Sequence, residues 1–366
     1  MTRSQAIAEV GFKRVLIATE DIMDMEVEST STAVCKIARS IKTCPRNTAL
    51  LFMGANQPNA NASVVATMRM GGALILGETI TTECTALESG PDSTNPHDLD
   101  CLPGGSSAGS AAAAADSQVP LAFGIQTGGS VIRPASHTGT YAMKPTFNTI
   151  AGERIKVTSI EFDTIGYFAR WTHQRIPPKE AREGFVKSPF GYSAGLGTIA
   201  VMEEAVETLR KHGVAVQDVD LAYESNEAAE LTDIYKVIFV TASGACFRKD
   251  YFMDTTKIKL FPVVRAFIDD APEYLRKQVR QAFEYYAALR PALDEIATMY
   301  PALTTPSAID EASLGIGDVG SPIFNSVWTG ARMPVIQWDQ YLLSIATVLA
   351  EPLVKEGGWQ KKLVYD

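Results

Sequence analysis

Two glycine-rich turns carry serines 24 positions apart, Ser106 in Gly104-Gly105-Ser106-Ser107-Ala108-Gly109-Ser110 and Ser130 in Gly124-Ile125-Gln126-Thr127-Gly128-Gly129-Ser130-Val131-Ile132-Arg133-Pro134. A serine hydroxyl is a weak nucleophile until a base takes its proton. In Thr127-Gly128-Gly129-Ser130 the paired glycines let successive N–H groups point into one concavity, the geometry that holds a developing oxyanion. Nucleophile and oxyanion donors together suit acyl transfer. A simpler role competes for the first turn, because Ser106 or Ser107 could cap the alanine-rich stretch that follows it. Capping alone does not require two turns, two glycine pairs and a fixed separation.

The elements that position these turns are legible from pattern. Ser110 to Ala122 is almost all small or apolar and reads as one helix and one short strand. Ser63 to Gly71 is amphipathic and stops at Gly71-Gly72, after which Ala73 to Gly77 reads as a buried strand. Met202 to Gly213 followed by Val214 to Val219 repeats that order. Lys257 to Met299 is helical and charged, with Phe261, Val264, Phe267 and Ile268 forming an apolar stripe suited to core packing. Tyr341 to Val354 reads as a further helical stripe. Alternating helices and strands predict an α/β layer protein, a single domain over 1–366, with a subdomain connection near 172–184 at Pro177-Pro178.

Composition narrows the function classes. A chain of 366 residues, 46% hydrophobic, can bury a large core. A net charge of -9 and a pI near 5.1 argue against a surface that tracks phosphates, so no nucleic-acid partner is expected. Five cysteines without short paired spacing indicate neither a disulfide framework nor a zinc knuckle. The four histidines are few and widely scattered, so no metal site is expected. Without an apolar leader or a run of about 18 apolar residues, no membrane partner is expected and the cytoplasm is the default location.

Gly104 to Ser110, Gly124 to Pro134 and Gly139-Thr140-Tyr141-Ala142-Met143-Lys144-Pro145-Thr146 together resemble the signature block of the amidase signature family. Gln57-Pro58, Ala62 to Val65, Gly72 to Thr79 and Asn95-Pro96-His97-Asp98-Leu99 resemble segments before that block. Downstream, Asp163 to Gly166 and Phe324 to Thr329 recur in family order. The resemblance is most specific over 57–170 and implies a central mixed β-sheet with helices on both faces.

The activity so implied is amide hydrolysis by a Ser/Ser/Lys triad, without metal or organic cofactor, on a small-molecule amide, and a homodimer is compatible with it. Ser130 would be the nucleophile and Ser106 the relay, in a cis peptide with Gly105. Thr127, Gly128 and Gly129, with Ser130, would supply oxyanion N–H groups. Ser107 would support the site, and Arg133 would anchor the nucleophile turn as an ion-pair partner. Lys144 reads as structural, pairing with a backbone carbonyl, and His137 and Thr138 alter the packing behind Ser130.

The third triad member has three placements. Counting back from Gln57-Pro58 selects Lys36, 70 positions before Ser106, though Ile37 follows it where the family carries aspartate. Arg14 to Asp21 reads better as the family's strand, but it puts Glu20 in the lysine's place and breaks the triad. Lys42 is a third candidate. A relative without hydrolytic activity, acting as a binding protein, and the amidase-type subunit of a glutamine-dependent amidotransferase are the alternatives.

Overall fold

The computed structural model describes residues 15–23, 25, 60–82, 93–169, 182–186, 190–221, 228–253, 262–300, 302–315 and 318–335. The connection expected at 172–184 and the helical stripe at 341–354 fall largely or wholly outside these.

A five-stranded sheet carries the two serine turns. Its strands are β1 (Leu16–Glu20), β2 (Leu74–Thr79), β3 (Leu121–Gln126), β4 (Tyr141–Met143) and β5 (Thr164–Ala169), in spatial order β2-β1-β3-β5-β4. β1 runs parallel to β2 and β3, whereas β5 is antiparallel to both β3 and β4. The sheet is therefore mixed, as expected.

Alternation along the strands loads both faces. Ile17, Phe123, Ile125 and Ile165 point into one core, while Ala18, Ala122 and Phe168 point into another. The second core is built from small side chains, so helix α2 (Ala108–Ala115), with Ala111, Ala113 and Ala114, packs close to the sheet. The first, larger core gathers α5 (Ala228–Met253), α6 (Pro262–Asp270), α7 (Arg276–Met299) and α8 (Ile323–Gly330). Of the remaining helices, α1 (Ser63–Met70) leads into β2, α3 (Ile132–Thr138) follows Ser130, and α4 (Leu196–Lys211) precedes β7 (Ala215–Val219).

Helix-then-strand order holds where the pattern put it. α1 stops at Gly71 and Gly72, the latter at φ 88°, before β2, and α4 stops before Gly213, at φ 86°, ahead of β7 (Ala215–Val219). With β6 (Arg182–Val186) and β8 (Ala302–Thr304), β7 forms a second, all-parallel sheet in the order β7-β6-β8, which sequence pattern did not separate from the first. The charged stretch to Met299 is two helices, α6 and α7, broken by a turn at Ala271–Glu273.

Candidate functional site

The first serine turn connects β2 to α2. Gly104 adopts φ 81°, and a Cβ there would lie 2.9 Å from both His137 Nδ1 and Pro134 Cα, so only glycine fits. The Gly105–Ser106 peptide is cis, in the form the resemblance implied. Thr82 N–H donates to Ser106 O at 3.2 Å, and Gly109 N–H donates to Ile80 O at 3.0 Å, seating the turn on the segment after β2. Ser106 is fully buried, and its hydroxyl makes no hydrogen bond among the described residues.

Ser107 occupies the N-cap position of α2, yet its side chain does not cap the helix. The hydroxyl instead donates across to Ile125 O in β3 at 3.4 Å. Its backbone N–H donates to Ser130 O at 3.3 Å, which ties one serine turn directly to the other.

The second turn leaves β3 at Gln126, whose buried side chain closes it. Gln126 Oε1 accepts from the N–H groups of Val131 and Ile132 at 3.0 Å each, satisfying donors at the start of α3 that would otherwise lack partners. Gln126 Nε2 donates to Thr329 Oγ1 at 3.1 Å, and Thr329 Oγ1 donates to Gly128 O at 2.8 Å. Tyr235 Oη donates to Thr127 O at 3.0 Å. The carbonyls of the turn are thus held from behind. The N–H groups of Gly128, Gly129 and Ser130 find no acceptor among the described residues.

Close neighbours favour glycine at 128 and 129. Neither residue has positive φ; both allow close approach. A Cβ on Gly128 would lie 3.0 Å from Tyr235 Oη, and one on Gly129 would lie 3.0 Å from Asn325 Nδ2. Asn325 is itself fixed by donating to Ser307 O at 2.7 Å.

Asp163 supports the same turn from the strand side. One carboxylate oxygen accepts from Thr127 Oγ1 at 2.7 Å and the other from Thr158 N–H at 2.7 Å. Burial raises its pKa to about 6 despite those bonds.

Among the described residues Arg133 makes no ion pair; its guanidinium donates to Gly105 O at 2.5 Å, bracing the first turn from the second. Burial lowers its pKa to about 10, which leaves it cationic at neutral pH, with Asp318 favouring the charge. Lys144 is fully buried and donates to Pro145 O at 3.0 Å and Met333 O at 2.5 Å, a structural arrangement as expected.

The structure brings together Ser106, Ser107, Thr127, Gly128, Gly129, Ser130 and Arg133. Lys36 and Lys42 lie outside the described residues. The strand of the second placement is present as β1, and Glu20 stands at its end, fully buried. Sequence reading gave no role to Gln126 or Tyr235, and it noted Asp163, Asn325 and Thr329 only as parts of recurring blocks. A cleft of about 470 Å³ lined by residues including Val157, Ile160, Ile238 and Phe283 borders the loop before Asp163, and neither serine turn lines it. No group of three His, Cys, Asp or Glu among the described residues could hold a metal ion, and no described helix is long and apolar enough to cross a membrane.

Comparison with known proteins agrees with this architecture. Residues 39–176 match the amidase family model. A glutamyl-tRNA(Gln) amidotransferase subunit from Symbiobacterium thermophilum is 31% identical over 225 residues, covering 52% of this chain and 46% of that protein. The chain spans less than half the length of that relative. Among solved structures, the corresponding glutamyl-tRNA(Gln) amidotransferase subunit from Thermotoga maritima superposes with TM-score 0.70 at 19% identity, over 93% of this chain and 83% of the other. A 6-aminohexanoate cyclic dimer hydrolase complexed with substrate superposes with TM-score 0.71 at 18% identity, over 96% and 88%. These two likenesses concern the fold. Residues 39–176, which hold both serine turns and most of the mixed sheet, thus carry a match to the amidase family in a fold shared with these solved structures.

Proposed function

We propose that the protein cleaves the C–N bond of a small-molecule carboxamide through a serine acyl-enzyme. Ser130 attacks the carbonyl carbon, and Ser106 relays the proton. The N–H groups of the Thr127 to Ser130 turn take up the oxyanion, each such donor contributing about 3 kcal/mol to the transition state. The observation that carries this reading is the Ser107 N–H to Ser130 O bond, which joins the turns while the N–H groups of Gly128, Gly129 and Ser130 find no acceptor among the described residues. The resemblance supplies a lysine as base, and the spacing favours Lys36. The reaction is assigned to the cytoplasm and requires no metal or organic cofactor.

The names of the curated relatives favour a second reading, an amidase-type subunit that passes ammonia from glutamine to an acceptor held by a partner. Both readings use Ser130. A fluorophosphonate probe followed by peptide mass spectrometry should place the adduct on Ser130, and Ser130→Ala should remove it. An adduct elsewhere, or none, refutes both. Glutaminase activity that appears only with a partner protein would select the second.

A further inference from the structure

From Thr127 to Ser130 every carbonyl of the second serine turn is taken. Thr127 O accepts from Tyr235 Oη at 3.0 Å, Gly128 O from Thr329 Oγ1 at 2.8 Å, Gly129 O from Arg133 N–H at 2.9 Å and Ser130 O from Ser107 N–H at 3.3 Å. The peptides joining these residues are trans, and in a trans peptide the carbonyl and the following N–H point in opposite directions. A group that grips one carbonyl from behind therefore aims the next N–H forward. The first three grips aim the N–H groups of Gly128, Gly129 and Ser130, the three that find no acceptor among the described residues.

These three grips differ in kind. Arg133 N–H belongs to the first turn of α3 and is fixed with that helix. Thr329 Oγ1 has one proton and two carbonyls in reach, Gly128 O at 2.8 Å and Asn325 O of its own helix at 3.0 Å. Tyr235 Oη has one proton and one acceptor, and Thr127 O has no other donor among the described residues. The aim of the Gly128 N–H thus depends on a single phenolic proton.

The surroundings of Tyr235 hold that proton in place. Its ring stacks on Phe162 at 4.9 Å and on Phe239 at 5.6 Å, each within 13° of parallel. Phe239, one turn further along α5, meets Phe267 of α6 edge-on at 5.1 Å, and Phe162 meets Tyr286 of α7 edge-on at 6.3 Å. Rings packed in this way fix where the hydroxyl oxygen sits. Gly128 supplies the room, since a Cβ there would lie 3.0 Å from Tyr235 Oη. Asp163, the residue after Phe162, takes the Thr127 hydroxyl at 2.7 Å, so Thr127 is gripped at main chain and side chain together. Burial, with Tyr286 and Asp163 acting in the same direction and Arg133 against them, holds the phenol well above its ordinary range, and the hydroxyl stays a donor through neutral pH.

We infer that Tyr235 is a positioning residue for acyl transfer, its hydroxyl aiming the Gly128 N–H at the oxyanion by gripping Thr127 O. The inference rests on the serine-hydrolase reading above. As Ser130 Oγ bonds to the carbonyl carbon and the carbonyl π pair moves onto oxygen, the Gly128 N–H meets the new charge without turning. The bond behind the peptide also draws electron density toward Thr127 O, which strengthens the N–H as a donor. Tyr235 touches no reacting atom and gives up no proton. Its effect falls on the charged transition state and not on the bound ground state.

The test is the kinetics of fluorophosphonate labelling at Ser130 in the full chain, since the phosphoryl oxygen takes up charge as the carbonyl oxygen would. The saturating rate and the probe concentration giving half of it are measured for wild type, Tyr235→Phe and Thr241→Val, with urea unfolding of each. Tyr235→Phe keeps the ring and removes one oxygen. Its saturating rate should fall about 10- to 100-fold, less than loss of a whole oxyanion donor, while the half-saturating concentration and the midpoint of the pH dependence stay at wild-type values. Thr241→Val removes a hydroxyl that bonds only Val237 O and Ile238 O of the same helix, and it should label like wild type. If Tyr235→Phe does not fold, Phe239→Leu takes its place, because it keeps the hydroxyl but removes one stacked ring, and its saturating rate should fall about threefold or more. A wild-type saturating rate, a change confined to the half-saturating concentration, a displaced pH midpoint, or an equal fall in Thr241→Val overturns the inference while the hydrolase reading stands. Failure of wild type to label at Ser130 removes both.

Discussion

Replacing Gly109 with alanine should damage the site from a position that never touches substrate. Gly109 lies in the first turn of α2, where its N–H donates to Ile80 O at 3.0 Å and an added Cβ would lie 2.7 Å from both Ile80 N and Ile80 O. Ordinary contact begins near 3.4 Å, so helix and strand must separate by about 0.7 Å, and the obstructing atoms are backbone that cannot rotate away. Overpacking of this kind costs about 1–3 kcal/mol, and loss of the hydrogen bond adds about 1 kcal/mol. The expected total is about 2–4 kcal/mol. Ser106 and Ser107 lie three and two residues before Gly109, so the displacement passes into the serine turn, and a misplacement of about 1 Å can cost about 100-fold in rate. Urea unfolding and fluorophosphonate labelling at Ser130 measure the two effects separately. Gly191→Ala is the control, since its Cβ would meet open space. Gly109→Ala with wild-type stability and wild-type labelling would refute the claim that this contact positions the turn.

Two further outcomes follow from buried carboxyls. Glu183 in β6 is 1% exposed, neither of its oxygens has a partner among the described residues, and burial raises its pKa from 4.5 to about 7. Because the folded protein holds this proton more tightly than the unfolded chain, stability should fall between about pH 4.5 and pH 7, by about 3 kcal/mol. Glu183→Gln should flatten the fall in urea titrations across pH, and an unchanged slope would count against it. Asp163→Asn leaves one accepting oxygen where two donors, Thr127 Oγ1 and Thr158 N–H, now have one each. It should lose about 1–3 kcal/mol together with Ser130 labelling, and loss of neither would show that the Thr127 turn stands without it.

Residues whose role is local were readable before the fold was known. The two serine turns announce themselves by glycine and serine spacing, and α1 with β2 by periodicity and a glycine stop. Ser107 shows the limit of local reading, because it stands at an N-cap but its hydroxyl turns to Ile125, a partner 18 positions away. Arg133 likewise meets, among the described residues, a backbone carbonyl of the other turn. Gly128 and Gly129 were read as conformationally necessary, whereas their surroundings demand only small size. The atoms that impose this belong to Tyr235, Pro322 and Asn325, too distant in sequence for any spacing rule. Glu20 was visible as the end of an apolar strand, but its complete burial depends on β2, β3 and α2 closing around it.

Thr329 gives the site a timetable. Its hydroxyl bonds Gly128 O and receives Gln126 Nε2 across 201 and 203 positions. At about 5–20 residues per second, a ribosome that has finished Gln126 needs roughly 10–40 s more to deliver Thr329. Through that interval the nascent chain carries Ser106, Ser130 and both glycine turns but lacks the clasp that holds the second turn's carbonyls. This clasp thus arrives late in synthesis, when most of the chain that encloses the serines has already been made.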